Sequence, residues 1–259
     1  MSLHDEYTKQ ISNIWDNWTR ENDPWTIPIT HEAFLQAKQG IYQMTITCQK
    51  NVPLEWYMPI NGKKLLGLAS GGAQQMPIFV ALGAIVTVFD YSDKQLESEK
   101  MVSMREGYDI EIVKGDMSKA FPFEDDSFDV IFNPVSVCYV EDVEHVWKEC
   151  HRVLKPNGIL MSGFGNPFQM ALDENDKVAY ILPINPLKDL QDKGMNTLNE
   201  DDCYFSHSLD TLIGGQARAG FCLTDLYEDY HFGVTKVPTY IATRAFKLMK
   251  LNNMRKIKL

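Results

Sequence analysis

Four short segments hold residues whose types and spacing point to chemistry: LGLASGGAQQ at 66–75, VTVFDYS at 86–92, KGDM at 114–117 and VIFNPVS at 130–136. In each, an apolar run of strand character ends abruptly in small, acidic or amide residues. Ala69, Ser70, Gly71 and Gly72 carry little or no side chain, so a ligand can approach their backbone closely. Asp90, with Tyr91 after it, offers a carboxylate able to accept two hydrogen bonds from a ribose diol. In Gly115-Asp116-Met117 the acid can take an exocyclic amine while the methionine packs on an aromatic ring. Asn133, Pro134 and Val135 close the fourth segment. Each feature alone has an ordinary explanation: Asp90 as a cap, Asp116 as a turn residue, the glycine pair as a loop. In chain order, they describe a site for an adenosine-containing ligand.

Such residues need a scaffold that brings strand ends together, and the surrounding pattern supplies one. Lys64–Ala69 reads as an apolar strand and Gln74–Leu82 as a short helix stopped by Gly83. Ile85–Phe89 is a β-branched strand. Ser92 is a good N-cap for a helix running to Glu106. Ile110–Val113 and Phe128–Phe132 are further strands. Asp142–Leu154 is a helix with Val143, Val146, Trp147, Cys150 and Leu154 at helical spacing. Pro156-Asn157-Gly158 marks a turn before strand Ile159–Gly163. A helix near Ser208–Ala219 and strands at about 222–228 and 239–246 complete the set. Strands alternating with helices predict an α/β fold: a doubly wound, mostly parallel sheet with helices on both faces. Ligands in such sheets sit beyond the carboxyl ends of the strands, where the winding reverses.

Two regions fall outside this rhythm. Residues 1–60, with helical patterns at 5–22 and 30–39, read as an N-terminal helical cap on the domain formed by 61–259. Residues 167–205 are too long for an ordinary connection and read as a lid insertion near the strand ends. Tyr180, Leu182, Pro183 and Tyr204 there suggest a partly apolar substrate cavity. Trp15, Trp18, Tyr42 and Trp56 serve either the core or a cover over the ligand.

Composition narrows the classes. The formal net charge is −10, which repels phosphate backbones and argues against a nucleic-acid partner. The local basic run Lys247–Lys258 reads as a solvated end. The longest apolar stretch, Met76–Phe89, holds Pro77 and Gly83 and falls short of a membrane span, which needs roughly 20 residues. No leader is expected at the start of the chain. Five scattered cysteines without a CxxC pair give no metal site or disulfide framework and suggest the cytoplasm.

Residues 64–163 resemble the class I S-adenosylmethionine-dependent methyltransferases, in their broad small-molecule "type 11" group. FDVIFNPVSVCYVEDVEHVWKECHRVLKPNGIL is similar to that family's fourth-strand motif with its helix and turn. GDM resembles its adenine motif and VTVFDYS its ribose motif. LASGGAQQ and SLDTLIGGQARAGF are similar to a bacterial subgroup. The resemblance implies a Rossmann-like, seven-stranded sheet. It implies S-adenosylmethionine as cofactor, S-adenosylhomocysteine as product and a small-molecule methyl acceptor. It also implies a cofactor site made of Ala69, Ser70, Gly71, Gly72, Gln75, Asp90, Tyr91, Gly115, Asp116, Met117, Asn133, Pro134 and Val135. The family's first loop reads acid-x-Gly-x-Gly-x-Gly, whereas residues 67–73 read GLASGGA. The acid is Gly67, and two glycines are alanines that resist positive φ. Backbone carbonyls near Ala69, the Asn133 side chain, Gln74 and Gln75 are then candidates for meeting the cofactor's ammonium.

Methyl transfer from a sulfonium is an in-line displacement that rests on alignment in a dry site. A base is needed only if the acceptor must lose a proton. Tyr139 and His207 are the catalytic candidates, and no metal is expected; Cys138 is a second pocket candidate. Two other classes compete. A non-catalytic ligand-binding module would keep Asp90 and Asp116 without turnover. A nicotinamide-dependent oxidoreductase requires GxGxxG after the first strand, and that spacing is missing. A nucleic-acid methyltransferase would carry an [ND]-P-P-[YFW] motif, which Asn133-Pro134-Val135-Ser136 only begins.

Overall fold

In a computed structural model, residues 2–173, 175, 177–188, 203–231 and 236–248 are described. Seven strands form one sheet in the order β3-β2-β1-β4-β5-β7-β6. They are β1 Lys64–Leu68, β2 Ile85–Asp90, β3 Glu111–Lys114, β4 Phe128–Asn133, β5 Leu154–Gly165, β6 Phe221–Asp229 and β7 Tyr240–Lys247. The first five run parallel to one another. β7 is antiparallel to both β5 and β6. Winding proceeds outward from β1 to β3, then restarts at β4 on the other side of β1. That reversal opens a crevice above the carboxyl ends of β1 and β4.

Alternation along the strands builds two cores. Leu66 and Leu68 of β1, Phe89 of β2 and Ile131 of β4 face one side, against Val146, Trp147 and Cys150. Leu65, Val86, Val88, Val130 and Phe132 face the other. Period-two alternation in buried strands requires apolar residues at both parities. That is why β1, β2 and β4 read as continuous apolar runs. The helix behind the first face is α5, Val143–Val153, capped by Asp142. The second face is covered by α3, Met76–Ala81, and α4, Asp93–Glu106.

The first 60 residues pack onto the domain that follows. Ala37, Met44, Ile46, Val52, Trp56, Tyr57 and Ile60 join the second core directly. Helix α2, His31–Lys38, lies on that side. Helix α1, Leu3–Glu21, begins with a reciprocal Ser2–Asp5 capping box. It packs along α4 and over the strand ends. Tyr7 and Ile11 of α1 share a third cluster with Leu187, Cys203 and Phe205, from the described ends of the 167–205 insertion. The polar run at 199–202 and the basic segment 249–258 lie outside the described residues.

Three elements differ from the sequence-based expectation. Helix α3 starts at Met76 rather than Gln74, with Pro77 in its first turn. The Pro156-Asn157-Gly158 turn lies inside β5: pairing with β4 shifts register between Phe128 and Val130, and Asn157 takes φ 65°. The element is therefore a bulged strand. The helix expected at Ser208–Ala219 is a π-turn, Asp210–Gly214, leading into Gly215–Arg218. Gly215 lies so close to the Trp147 indole that a Cβ there would be 2.9 Å from its Cδ1.

Candidate active site

The turn after β1 is folded onto β2 and α4 by four hydrogen bonds. Ala69 N donates to Phe89 O at 2.8 Å and Gly72 N to Gln95 O at 3.0 Å. Gly71 N donates to Asp90 Oδ2 at 2.9 Å and Ala73 N to Glu99 Oε1 at 2.8 Å. Ala69 and Ala73, which replace family glycines, sit at φ 46° and 57°. The left-handed conformation costs a non-glycine residue about 1–2 kcal/mol. The hydrogen bonds hold the turn there nonetheless. Gly71 is required for a different reason: a Cβ on it would lie 2.7 Å from Gln95 Cβ and 3.1 Å from Asp90 Oδ2. A Cβ on Gly115 would run into the Phe89 ring. Both glycines leave room only for backbone.

These turns floor a cavity above the strand ends. Its floor comprises Ala69, Ser70 and Gly71, then Asp90 and Tyr91, then Gly115, Asp116 and Met117, then Pro134 and Val135. Gln75 and Tyr139 border the same space. Gly72, Asn133 and His207 are not among the residues that line it. Asn133 is wholly buried, with both its N–H donors and its oxygen bonded within the protein. Its Nδ2 donates to Leu68 O at 2.9 Å and Ser136 Oγ at 2.6 Å, and its Oδ1 accepts from Ser162 Oγ at 3.0 Å. It ties β1, β4 and β5 together beneath the floor. His207 stacks on Phe205 outside the cavity, and burial holds its pKa below the usual histidine range.

Apart from Trp15, a cover candidate from the sequence, the roof is made of residues the sequence reading left out. Thr8, Ile11, Ser12 and Trp15 of α1 line it, with Trp25, Ile46 and Thr47. Their spacing is the signal: 8, 11, 12 and 15 are i, i+3, i+4 and i+7, one helical face mixing polar and apolar groups. Thr8 Oγ1 donates to Asp116 Oδ2 at 3.3 Å and Ser12 Oγ to Tyr91 O at 3.4 Å. Thr47 has no comparable signal. It is held by Asp229, whose Oδ2 accepts from Thr47 Oγ1 at 2.7 Å and from the backbone N–H groups of Cys48, Gln49 and Lys50. Of the other aromatic candidates, Trp18 meets Trp15 edge-to-face, while Tyr42 and Trp56 belong with the second core. Tyr180 is exposed, and Tyr204 meets Tyr139 with ring centroids 5.5 Å apart.

Burial dominates the electrostatics. It raises the Asp90 carboxyl pKa, while the N–H donors of Ser92 and Gly71 pull the other way. Those bonds orient Asp90 toward the cavity floor. Tyr139 is pushed well above the usual phenol range by burial, so its hydroxyl stays protonated at neutral pH and is a donor rather than a base. Behind the turn, Glu99 is fully buried and its pKa is pushed up to about 8 by burial. Among the described residues no group of three or more His, Cys, Asp or Glu side chains is placed to hold a metal ion.

The floor suits S-adenosylmethionine on structural grounds. Asp90, a carboxylate able to take a ribose diol, and Asp116, able to take an adenine amine, line one cavity with the small residues Ala69, Ser70 and Gly71. Known proteins agree with that fit. A family model described as "Methyltransferase domain" matches residues 66–162. The chain is 42% identical over 247 residues to the uncharacterized methyltransferase YbaJ of Bacillus subtilis, covering 92% of this chain and 97% of that one. The fold is similar to that of 1,6-didemethyltoxoflavin-N1-methyltransferase from Burkholderia thailandensis, solved with S-adenosylhomocysteine: TM-score 0.61, 14% identity, 96% of this chain and 92% of that one. It is also similar to a methyltransferase from Mesorhizobium loti: TM-score 0.55, 21% identity, 74% of this chain and 95% of that one. The chain belongs to the S-adenosylmethionine-dependent methyltransferases, and S-adenosylmethionine is its cofactor.

Proposed function

We propose that the enzyme methylates a small-molecule acceptor by in-line displacement, in the cavity between α1 and the strand ends. One observation carries this reading: Asp90, Asp116 and the backbone of Ser70-Gly71 converge on a single cavity. Asp90 would take the ribose diol and Gly115-Asp116-Met117 the adenine. Ala69 to Gly71, with Gln75, Pro134 and Val135, would surround the methionyl portion. When bound, the cofactor supplies a methyl group on sulfur, already activated for transfer.

The protein's own work is then alignment and exclusion of water. Trp15, Ile11 and Trp25 close the cavity above, and Tyr139 and Val140 wall its side. Tyr139, as a protonated donor, can orient an acceptor but not deprotonate it. A small acceptor fits this roofed space, and the net charge of −10 disfavours a polynucleotide. All five cysteines are free thiols, the state a reducing compartment maintains, and we place the enzyme in the cytoplasm.

Calorimetric titration with S-adenosylhomocysteine, with NAD as control, tests the site. Asp90→Ala should cost about 1–3 kcal/mol of binding, the value of lost bonds to a charged acceptor. Unchanged affinity would remove Asp90 from the site. Incubation with methyl-labelled cofactor and a small-molecule extract tests the acceptor. Label recovered in RNA or protein instead would sink the small-molecule reading.

A further inference from the structure

Beside the roofed cavity lies a second space, a groove of about 420 Å3. Small-molecule sites measure about 300–1,000 Å3. Four of the groove's lining residues are glutamines: Gln43, Gln49, Gln74 and Gln75. Thr45 adds a hydroxyl, and Ile29 and Ile78 add apolar surface. No charged side chain lines it among the described residues. Gln74 and Gln75 also line the roofed cavity, so the two spaces meet there. The segment 45–49 runs between them: Ile46 and Thr47 line the cavity, while Thr45, Cys48 and Gln49 line the groove.

The groove is pre-formed, because each segment around it is pinned. Ile29 N donates to Ala73 O at 3.0 Å, and Val52 N closes the 44–52 loop by donating to Met44 O at 2.7 Å. Asp229 Oδ2 accepts from Thr47 Oγ1 and from the N–H groups of Cys48, Gln49 and Lys50. Two of the carboxamides are tied by nitrogen alone: Gln74 Nε2 donates to Trp25 O and Gln49 Nε2 to Tyr230 O. Their oxygens are left as acceptors. No side-chain hydrogen bond of Gln43, Thr45 or Gln75 is found among the described residues, and these groups can both donate and accept.

Given the cofactor on the cavity floor as proposed above, we propose that this groove recognises the methyl acceptor, an uncharged molecule bearing both hydrogen-bond donors and acceptors, with its reacting end passing Gln74 and Gln75 into the roofed cavity. Carboxamides match such a molecule at either polarity. A carboxylate or phosphate would find no cation there, and an ammonium no carboxylate, so a charged acceptor would lose water without gaining a partner. Ile29 and Ile78 suit a ring or short alkyl part beside the polar groups.

Three probes with one ring and different charge test this: benzamide, benzoate and benzylamine. Saturation-transfer NMR on protein loaded with S-adenosylhomocysteine should show benzamide binding with a Kd of about 1 mM, as for a fragment. Benzoate and benzylamine should bind at least about fivefold more weakly. Gln43→Leu and Thr45→Val should each weaken benzamide by about three- to fivefold and leave S-adenosylhomocysteine affinity within about twofold. Equal or tighter binding of either charged probe would overturn the uncharged class. The groove itself is overturned if benzamide does not bind by about 10 mM, if S-adenosylhomocysteine displaces it, or if neither variant weakens it; the cavity reading then stands, provided that S-adenosylhomocysteine binds and Asp90→Ala weakens it. If S-adenosylhomocysteine does not bind, or Asp90→Ala leaves it unchanged, the cavity reading fails and takes the groove with it. Thermal melts of the two variants, expected to match the native protein, exclude a folding defect as the cause.

Discussion

The cavity's floor comes from four strand ends, each a few consecutive residues, whereas its roof comes from α1 and from segments around Trp25 and Thr47. The floor is placed by topology. Once parallel strands lie side by side, their carboxyl ends share one edge, and Asp90 and Asp116 meet with no contact between distant segments needed to arrange them. The roof is placed by side chains reaching across the chain. Asp16 Oδ1 accepts from Ser92 Oγ at 2.6 Å and from Lys94 N at 3.0 Å. Gln95 Nε2 donates to Thr19 Oγ1 at 2.7 Å, and Asp229 holds Thr47, 182 positions away. The floor should thus fail through sterics at single backbone positions, the roof through loss of individual polar clips.

The largest effect is expected at the floor. Gly71→Val drives branched carbons toward Gln95 Cβ and Asp90 Oδ2. It should lower affinity for S-adenosylhomocysteine by more than about a hundredfold, with overpacking costing about 1–3 kcal/mol of stability. Circular dichroism should still report the native sheet. Near-native binding would show that this turn does not hold the cofactor.

At the roof, Asp16→Ala removes the acceptor that ties α1 to the start of α4. Hydrogen bonds to a carboxylate contribute about 1.5–3 kcal/mol, so denaturant unfolding should show a loss of about 2 kcal/mol. Cofactor affinity should fall only several-fold, because the floor is intact. Asp16→Asn keeps an acceptor for Ser92 Oγ and should recover part of the stability. A loss of binding as deep as that of Gly71→Val would erase the distinction between floor and roof.

The same contrast explains what the sequence made legible. The sheet, the apolar runs of β1, β2 and β4, and the placement of Asp90 and Asp116 at strand ends follow from local patterns, and the structure shows each of them. The failures are non-local. Asn133 reads as a strand-end amide free to meet a ligand, but Leu68 and Ser136 take both its N–H donors and Ser162 bonds its oxygen. Nothing in the local sequence singles out Glu99, yet it is buried and accepts from the Ala73 N–H. Thr8 and Ser12 gain a role only when α1 is laid over the ends of β2 and β3. Helical periodicity identifies a face but not what that face meets.

Glu99 tests how the floor is supported from behind. Its pKa is raised to about 8 by burial, so the folded state holds its proton more tightly than the unfolded chain does. Its contribution to stability is complete below the unfolded glutamate pKa and is lost as pH rises toward 8 and beyond. Glu99→Gln keeps an acceptor for Ala73 N and cannot ionise. The variant's stability relative to the native protein should therefore rise by about 1–2 kcal/mol between pH 6 and pH 8, within the limit of 1.36 kcal/mol per pH unit for one proton. Parallel stability curves would mean that Glu99 is already ionised in the folded protein.

The smallest effects separate the two alanines of the turn. Both sit at positive φ, so glycine at either relieves about 1–2 kcal/mol of backbone cost. It also frees the unfolded chain, which returns about 0.4–1 kcal/mol. The balance turns on the methyl group. Ala69 is only partly buried and borders the cavity, whereas Ala73 is 0% exposed. Deleting a fully buried methyl costs about 0.8 kcal/mol in transfer alone. Ala69→Gly should therefore stabilise the protein by about 0.5 kcal/mol, and Ala73→Gly should be neutral or slightly destabilising. Equal shifts in both variants would show that backbone strain alone decides the outcome. A marked loss at Ala69→Gly would mean that its methyl packs against the Leu68–Phe89 core more than its exposure indicates.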